Sequence, residues 1–78
     1  MPTVRLFASA REAAGTDRAV LDGDTVAAVL AAAESRFGDE FAAVLATCRV
    51  WVNGEPALPA DRVAPTDEVA VLPPVSGG

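Results

Sequence analysis

The chain has 78 residues, 51% of them hydrophobic, with 11 acidic side chains against 6 basic ones for a net charge of −5. This length supports one small domain, residues 1–78, with a marginally adequate core and no second lobe. The acidic balance argues against nucleic acid or an anionic membrane as partner and favours a locally basic one.

Thr3 to Ala8 alternates as a strand, with Val4, Leu6 and Ala8 on one face and Arg5 and Phe7 on the other. Ser9 to Asp17 reads as a loop around Gly15, and Arg18 to Leu21 as a second short strand closed by Asp22-Gly23-Asp24. These two strands form an opening hairpin. Thr25 or Asp24 then caps a helix whose Val26, Val29, Leu30, Ala33 and Phe37 make a one-sided apolar stripe. Gly38 is placed to end it in a left-handed conformation, and Asp39 to cap a shorter helix carrying Phe41, Val44 and Leu45 on one face. Arg49 to Asn53 is a third strand, turned by Asn53-Gly54 into a short fourth over Glu55 to Leu58. Pro59 to Asp67 is a polar connection, and Glu68 to Leu72 is the last strand, with Val69 and Val71 opposed to Ala70 and Leu72. A mixed four- to five-stranded sheet over one main helix plus a short second helix satisfies this order. The expected class is α+β, in the β-grasp (ubiquitin-like) arrangement.

Histidine is absent, which removes the usual general base and the commonest metal ligand. Cys48 is the only cysteine, so no disulfide framework or thiol–metal cluster is expected, and none of its features calls for a chemical role. The longest apolar run, Val26 to Ala33, is too short to span a bilayer, and no export signal opens the chain. The expectation is a reduced, cytoplasmic protein. All six basic residues are arginines, a pattern that compositional bias explains. Without lysine, the chain cannot build polymers of itself through side-chain isopeptide bonds.

The end of the chain carries the most chemistry. Pro73 and Pro74 fix φ, remove amide donors and bias the preceding residues toward extended geometry, so the strand must stop near Leu72. Val75, Ser76, Gly77 and Gly78 then extend at most about 13 Å, and the two glycines lack the Cβ that a narrow channel excludes. Residues 73–78 therefore read as an extended functional tail that presents the Gly78 carboxylate. The competing reading is a loose terminus.

Phe7-Ala8, Arg11-Glu12 and Gly15, together with Asp67-Glu68-Val69-Ala70 and the Pro-Pro-Val-Ser-Gly-Gly ending, resemble the ubiquitin-like sulfur carriers of the MoaD/ThiS family, in particular the small subunit of molybdopterin synthase. Asn53-Gly54 also falls where that family has a turn. The resemblance spans essentially the whole chain. It implies that an E1-like activating enzyme uses ATP to adenylate the Gly78 carboxylate, and that a persulfide donor replaces AMP with sulfur to leave a thiocarboxylate. The loaded tail then enters the large subunit of molybdopterin synthase, in a heterotetramer, and gives sulfur to a cyclic pyranopterin precursor during molybdenum cofactor biosynthesis. A carboxylate is a poor electrophile until activated. With no phosphate-cradling loop, no histidine and no metal site, this chain is expected to bind no cofactor itself and to act as a non-catalytic sulfur-donor subunit.

Strand alternation places a partner-binding patch. If Val50 and Val52 face the helix, Trp51 faces out, where Phe7 and Leu72 join it as apolar anchors. The alternative tucks Trp51 into the core edge. Arg11 and Glu12 sit at the rim, where Arg11 pairs with a partner carboxylate or with its own neighbour. Three other functions remain open: a carrier serving thiazole or cysteine synthesis, a ubiquitin-like modifier joined through Gly78 to lysines of other proteins, and a plain β-grasp interaction domain with no terminal chemistry, which the Gly-Gly end disfavours.

Overall fold

The computed structural model describes residues 1–74; Val75, Ser76, Gly77 and Gly78, on which the tail reading rests, lie outside the described residues. The elements run β1 (Thr3–Leu6), α1 (Ala8–Ala14), β2 (Arg18–Val20), α2 (Val26–Phe37), α3 (Asp39–Leu45), β3 (Arg49–Val52), β4 (Glu55–Pro56) and β5 (Glu68–Leu72). The strands form one mixed sheet in the order β2-β1-β5-β3-β4. β5 is central, parallel to β1 and antiparallel to β3. This is the β-grasp arrangement expected from the sequence.

Alternation sorts the strands cleanly. Val4, Leu6, Ala19, Val69 and Val71 are buried on the inner face, where Val50 and Val52 also pack. Against them lie Val26, Val29 and Ala33 of α2 and Phe41 and Leu45 of α3, with Phe41 wholly buried and its ring edge-on to Phe37 at 5.1 Å between centroids. Removing this apolar surface from water is the main term holding so small a domain together.

The start of α2 shows how distant segments complete a helix. Thr25 Oγ1 accepts from the Ala28 amide at 3.1 Å, deciding between the two candidate caps. The first helical amides are satisfied from across the molecule: Val26 donates to the Asp61 carbonyl and Ala27 to the Pro59 carbonyl, both at 2.9 Å. The 59–67 connection, expected to be merely polar, therefore closes the helix and also contributes buried Val63 to the core.

Four local expectations need correction. Ser9–Asp17 is no loop: Ala8–Ala14 is a helix, and Gly15 closes it by donating to the Arg11 carbonyl. Alanine, arginine and glutamate all favour helix, but the buried face is Ala10 with partly buried Ala13 and Ala14, too small to give an apolar period. β1 accordingly stops at Leu6, and Ala8 is not an inward strand residue. Gly38 has φ 93° and ψ −173°, outside the left-handed helical region, and it rather than Asp39 is the N-cap of α3. Asp39 and Glu40 occupy the first turn, where carboxylates complement the helix dipole. Finally, β4 spans only Glu55–Pro56, because Pro56 offers no amide to prolong the ladder; one further bond, from the Ala57 amide to the Val50 carbonyl, extends it.

Candidate functional site

The central position of β5 decides where the tail leaves. Register pairs Leu72 with Arg49, and Val71 with Leu6, so that Phe7, next after Leu6, comes level with Leu72. Pro73 and Pro74 thus depart from the middle of the sheet, just beyond the row in which Leu72 stands between Phe7 and Arg49. An exit from an edge strand would leave one flank open; here both neighbouring strands fix the base of the tail.

Behind this row lies a second one on the outer face. Arg18 pairs with Arg5, Arg5 with Ala70, Ala70 with Trp51, and Trp51 with Pro56. Trp51 is half-buried and shares the outer face with Ala70, opposite Val50 and Val52. Phe7 is 38% exposed, and the Arg5 guanidinium lies 5.8 Å from its ring centroid. Arg5 also bridges to Glu68 at 3.5 Å. Ala70 stands between Trp51 and Arg5 in this row. Phe7, Trp51 and Leu72 are thereby brought onto one face, as the alternation suggested.

Arg11 and Glu12 are exposed on α1, not on a loop, and neither forms a salt bridge among the described residues. Since α1 follows directly from the end of β1 and packs on β5, both lie toward the tail-exit end of the molecule.

Cys48 is far from the tail in sequence but next to it in the fold, one register step beyond the Arg49–Leu72 pair. Its thiol donates to the Val44 carbonyl at 3.2 Å. Burial pushes its pKa above the ordinary thiol value, although the neighbouring Thr47 hydroxyl works against that. At neutral pH it stays protonated, which is wrong for a nucleophile. It lines a recess of about 420 Å³ between the β3–β4 edge and α2, together with Leu30, Leu45 and Val50. That recess opens at the sheet edge, and Arg49 and Trp51 line it as well.

Two features of the site escaped the sequence. Arg18 and Arg49 belong to the same outer rows as the apolar anchors, which only strand register reveals. The Asn53–Gly54 turn is also tied to the base of β5. Asn53 Nδ2 donates to Asp67 Oδ1 at 2.9 Å, and the Glu68 amide donates to Asn53 Oδ1 at 3.0 Å. Asp67 Oδ2 further accepts from the Ala64 amide at 2.7 Å. That backbone bond, and then the bond from Asn53, hold the Asp67 carboxyl below its usual pKa. No helix among the described residues is long and apolar enough to cross a membrane.

Comparison with known proteins agrees with this architecture. The model of the ThiS family matches residues 4–78. The small archaeal modifier protein SAMP1 of Haloferax volcanii is 33% identical, with a TM-score of 0.77 and 97% of each chain covered. SAMP1 of Methanosarcina acetivorans is 29% identical with a TM-score of 0.87, covering 97% of this chain and 94% of that one. The Amycolatopsis orientalis BexX/CysO complex contains a chain 25% identical with a TM-score of 0.85 and full coverage of both. No curated protein matches the chain by sequence.

Proposed function

Since the chain belongs to the ThiS family, we propose that it carries sulfur on the carboxylate of Gly78 and delivers it to molybdopterin synthase. An E1-like partner uses ATP to join the carboxylate to AMP, releasing pyrophosphate. The terminal sulfur of a persulfide then attacks the acyl carbon and AMP leaves. A thiol cleaves the resulting acyl disulfide, and a thiocarboxylate remains on Gly78. The large subunit of the synthase takes up the loaded tail, in a heterotetramer, and its pterin substrate receives the sulfur.

The observation that carries this reading is the exit of Leu72-Pro73-Pro74 from the central strand, flanked by Phe7 and Arg49 and leading directly to Gly77-Gly78. Paired strands on both sides fix the point from which Pro73 and Pro74 depart, and the two prolines restrict the backbone there. A 25% identical structure described as a putative molybdopterin converting factor subunit 1 from Pyrococcus furiosus supports the choice of acceptor; its TM-score is 0.79, with 94% of this chain and 95% of that one covered. The likeness to two archaeal modifier proteins favours a second role, attachment of Gly78 to lysines of other proteins.

Intact mass spectrometry tests the proposal. Incubation with an activating enzyme, ATP and a persulfide donor is expected to raise the mass by the difference between a sulfur and an oxygen atom. Gly78→Ala is expected to abolish that gain without altering the melting temperature. No gain with any activating enzyme of the source cell removes the sulfur-carrier reading. Gly-Gly remnants on cellular lysines, without any transfer to a pterin, replace it with the modifier.

A further inference from the structure

We infer that Asn53 is a self-modifying site: the Gly54 nitrogen attacks its side-chain amide, a hydrogen-bonded lock on the base of β5 holds that reaction back, and conversion to aspartate or isoaspartate releases the lock. This goes beyond the sulfur-carrier reading and does not depend on it. Asn53 and Gly54 form the two-residue turn inside the Val52–Glu55 pair, with φ of 50° and 83°. Tight hairpin turns favour Asn-Gly because both central residues need positive φ. The same dipeptide is chemically labile, since asparagine is a perishable side chain and glycine leaves its own amide nitrogen unshielded. Both residues are exposed, and among the described residues a Cβ built on Gly54 meets nothing within 4 Å. Water and the nucleophile are therefore at hand.

In the reaction the Gly54 nitrogen bonds to Asn53 Cγ and gives up its proton, while ammonia leaves and a succinimide ring closes. Water then opens one of the two ring carbonyls, giving either aspartate or an isoaspartate whose main chain is one carbon longer. Against this stand three hydrogen bonds to residues 67 and 68. Asn53 Nδ2 donates to Asp67 Oδ1 at 2.9 Å, the Glu68 amide donates to Asn53 Oδ1 at 3.0 Å, and the Asn53 amide donates to the Glu68 carbonyl at 2.9 Å. The bond to the carboxylate is charge-assisted, and the Ala64 amide in turn fixes Asp67. Ring closure needs the side chain to fold back onto its own following peptide. It cannot do so while both of its amide heteroatoms are held across on β5. The product cannot restore the lock. Aspartate has no amide donor, and its carboxylate would face that of Asp67 at hydrogen-bond distance, where like charges repel. Isoaspartate also lengthens a turn whose register depends on having two residues.

The test incubates the folded chain, and the same chain in urea, in neutral buffer. Intact mass reports the exchange of an amide for a carboxyl, and peptide fragmentation separates isoaspartate from aspartate at position 53. The folded chain is expected to convert roughly tenfold more slowly than the unfolded one, the factor that one or two such bonds represent. Asp67→Ala should convert about tenfold faster than the parent while still folded, and the milder Asp67→Asn about threefold faster. Val29→Ala weakens the buried core away from the turn, and its rate should stay within about twofold of the parent's. If folded and unfolded chains convert alike, or if neither Asp67 variant converts faster than the parent, the lock does not protect Asn53 and the inference fails. It fails also if Val29→Ala accelerates conversion as much as Asp67→Ala, because exposure then comes from global unfolding. Asn53→Asp is expected to melt below the parent; an equal melting temperature would overturn the claim that conversion releases β5.

Discussion

Gly23 is where the turn before α2 packs most tightly against that helix. Its φ is 151°, and a Cβ built there lies 2.7 Å from the Val29 amide nitrogen, 2.8 Å from Val29 Cγ2 and 3.0 Å from the Ala28 carbonyl carbon. Two of these three atoms are backbone within the first turn of α2, and the Val29 side chain, β-branched and wholly buried, has no free rotamer to move into. Gly23→Ala must therefore push the start of α2 and the Asp22–Asp24 turn apart. Overpacking costs about 1–3 kcal/mol, and the backbone angle about 1–3 kcal/mol more. The total stability expected of a domain this size is about 4–12 kcal/mol. Taking about 3 kcal/mol, the midpoint should fall by about 12–24 °C in a thermal melt followed by circular dichroism. Gly54→Ala is the internal control: φ is 83°, yet nothing lies within 4 Å of the added methyl, so only the left-handed conformation costs, about 1–2 kcal/mol. If Gly23→Ala melts no lower than Gly54→Ala, steric exclusion by α2 is not what requires glycine at this turn.

Three further outcomes follow from the packing and the outer face. Phe41→Ala should cost about 3–5 kcal/mol in urea unfolding, since the ring is fully buried and edge-on to Phe37 of α2; a loss under about 1 kcal/mol would mean the core had collapsed around the gap. Asp67, its carboxyl held below the usual value by Ala64 and Asn53, contributes stability above the pKa of the unfolded chain that is lost as pH falls through the lower folded value. Asp67→Asn keeps one acceptor of two, and should lower stability at neutral pH while flattening its acid limb; an unchanged acid limb would show that other carboxyls set it. Trp51→Ala should weaken binding to the activating enzyme by about 2 kcal/mol with a smaller effect on the melting temperature. The opposite ordering would assign Trp51 to the core edge.

Much of the fold was legible because its signals are local. Alternation in Val4-Arg5-Leu6, Arg49-Val50-Trp51-Val52 and Glu68–Leu72 named both faces of the sheet, and the Val26–Phe37 stripe named the helix that covers one of them. The first helix stayed hidden because three alanines bury too little to stand out from their surroundings. Val63 was missed because a lone apolar residue in a polar stretch has no period at all.

Taken by itself, the sequence determined the sheet faces, which alternation over a few neighbouring residues reveals, and the family resemblance, which short motifs near the two ends carry. Tertiary structure alone decided that the first and last strands lie side by side, with Thr3 beside Glu68 and Leu6 beside Val71. From that pairing follow the central exit of the tail and the gathering of Phe7, Leu72 and Arg49 at its base. It also decided that three arginines share a face in a chain of net charge −5. The reason is that register is a relation between strands: no strand carries the identity of its neighbour, and only burial of all the inner faces at once selects it.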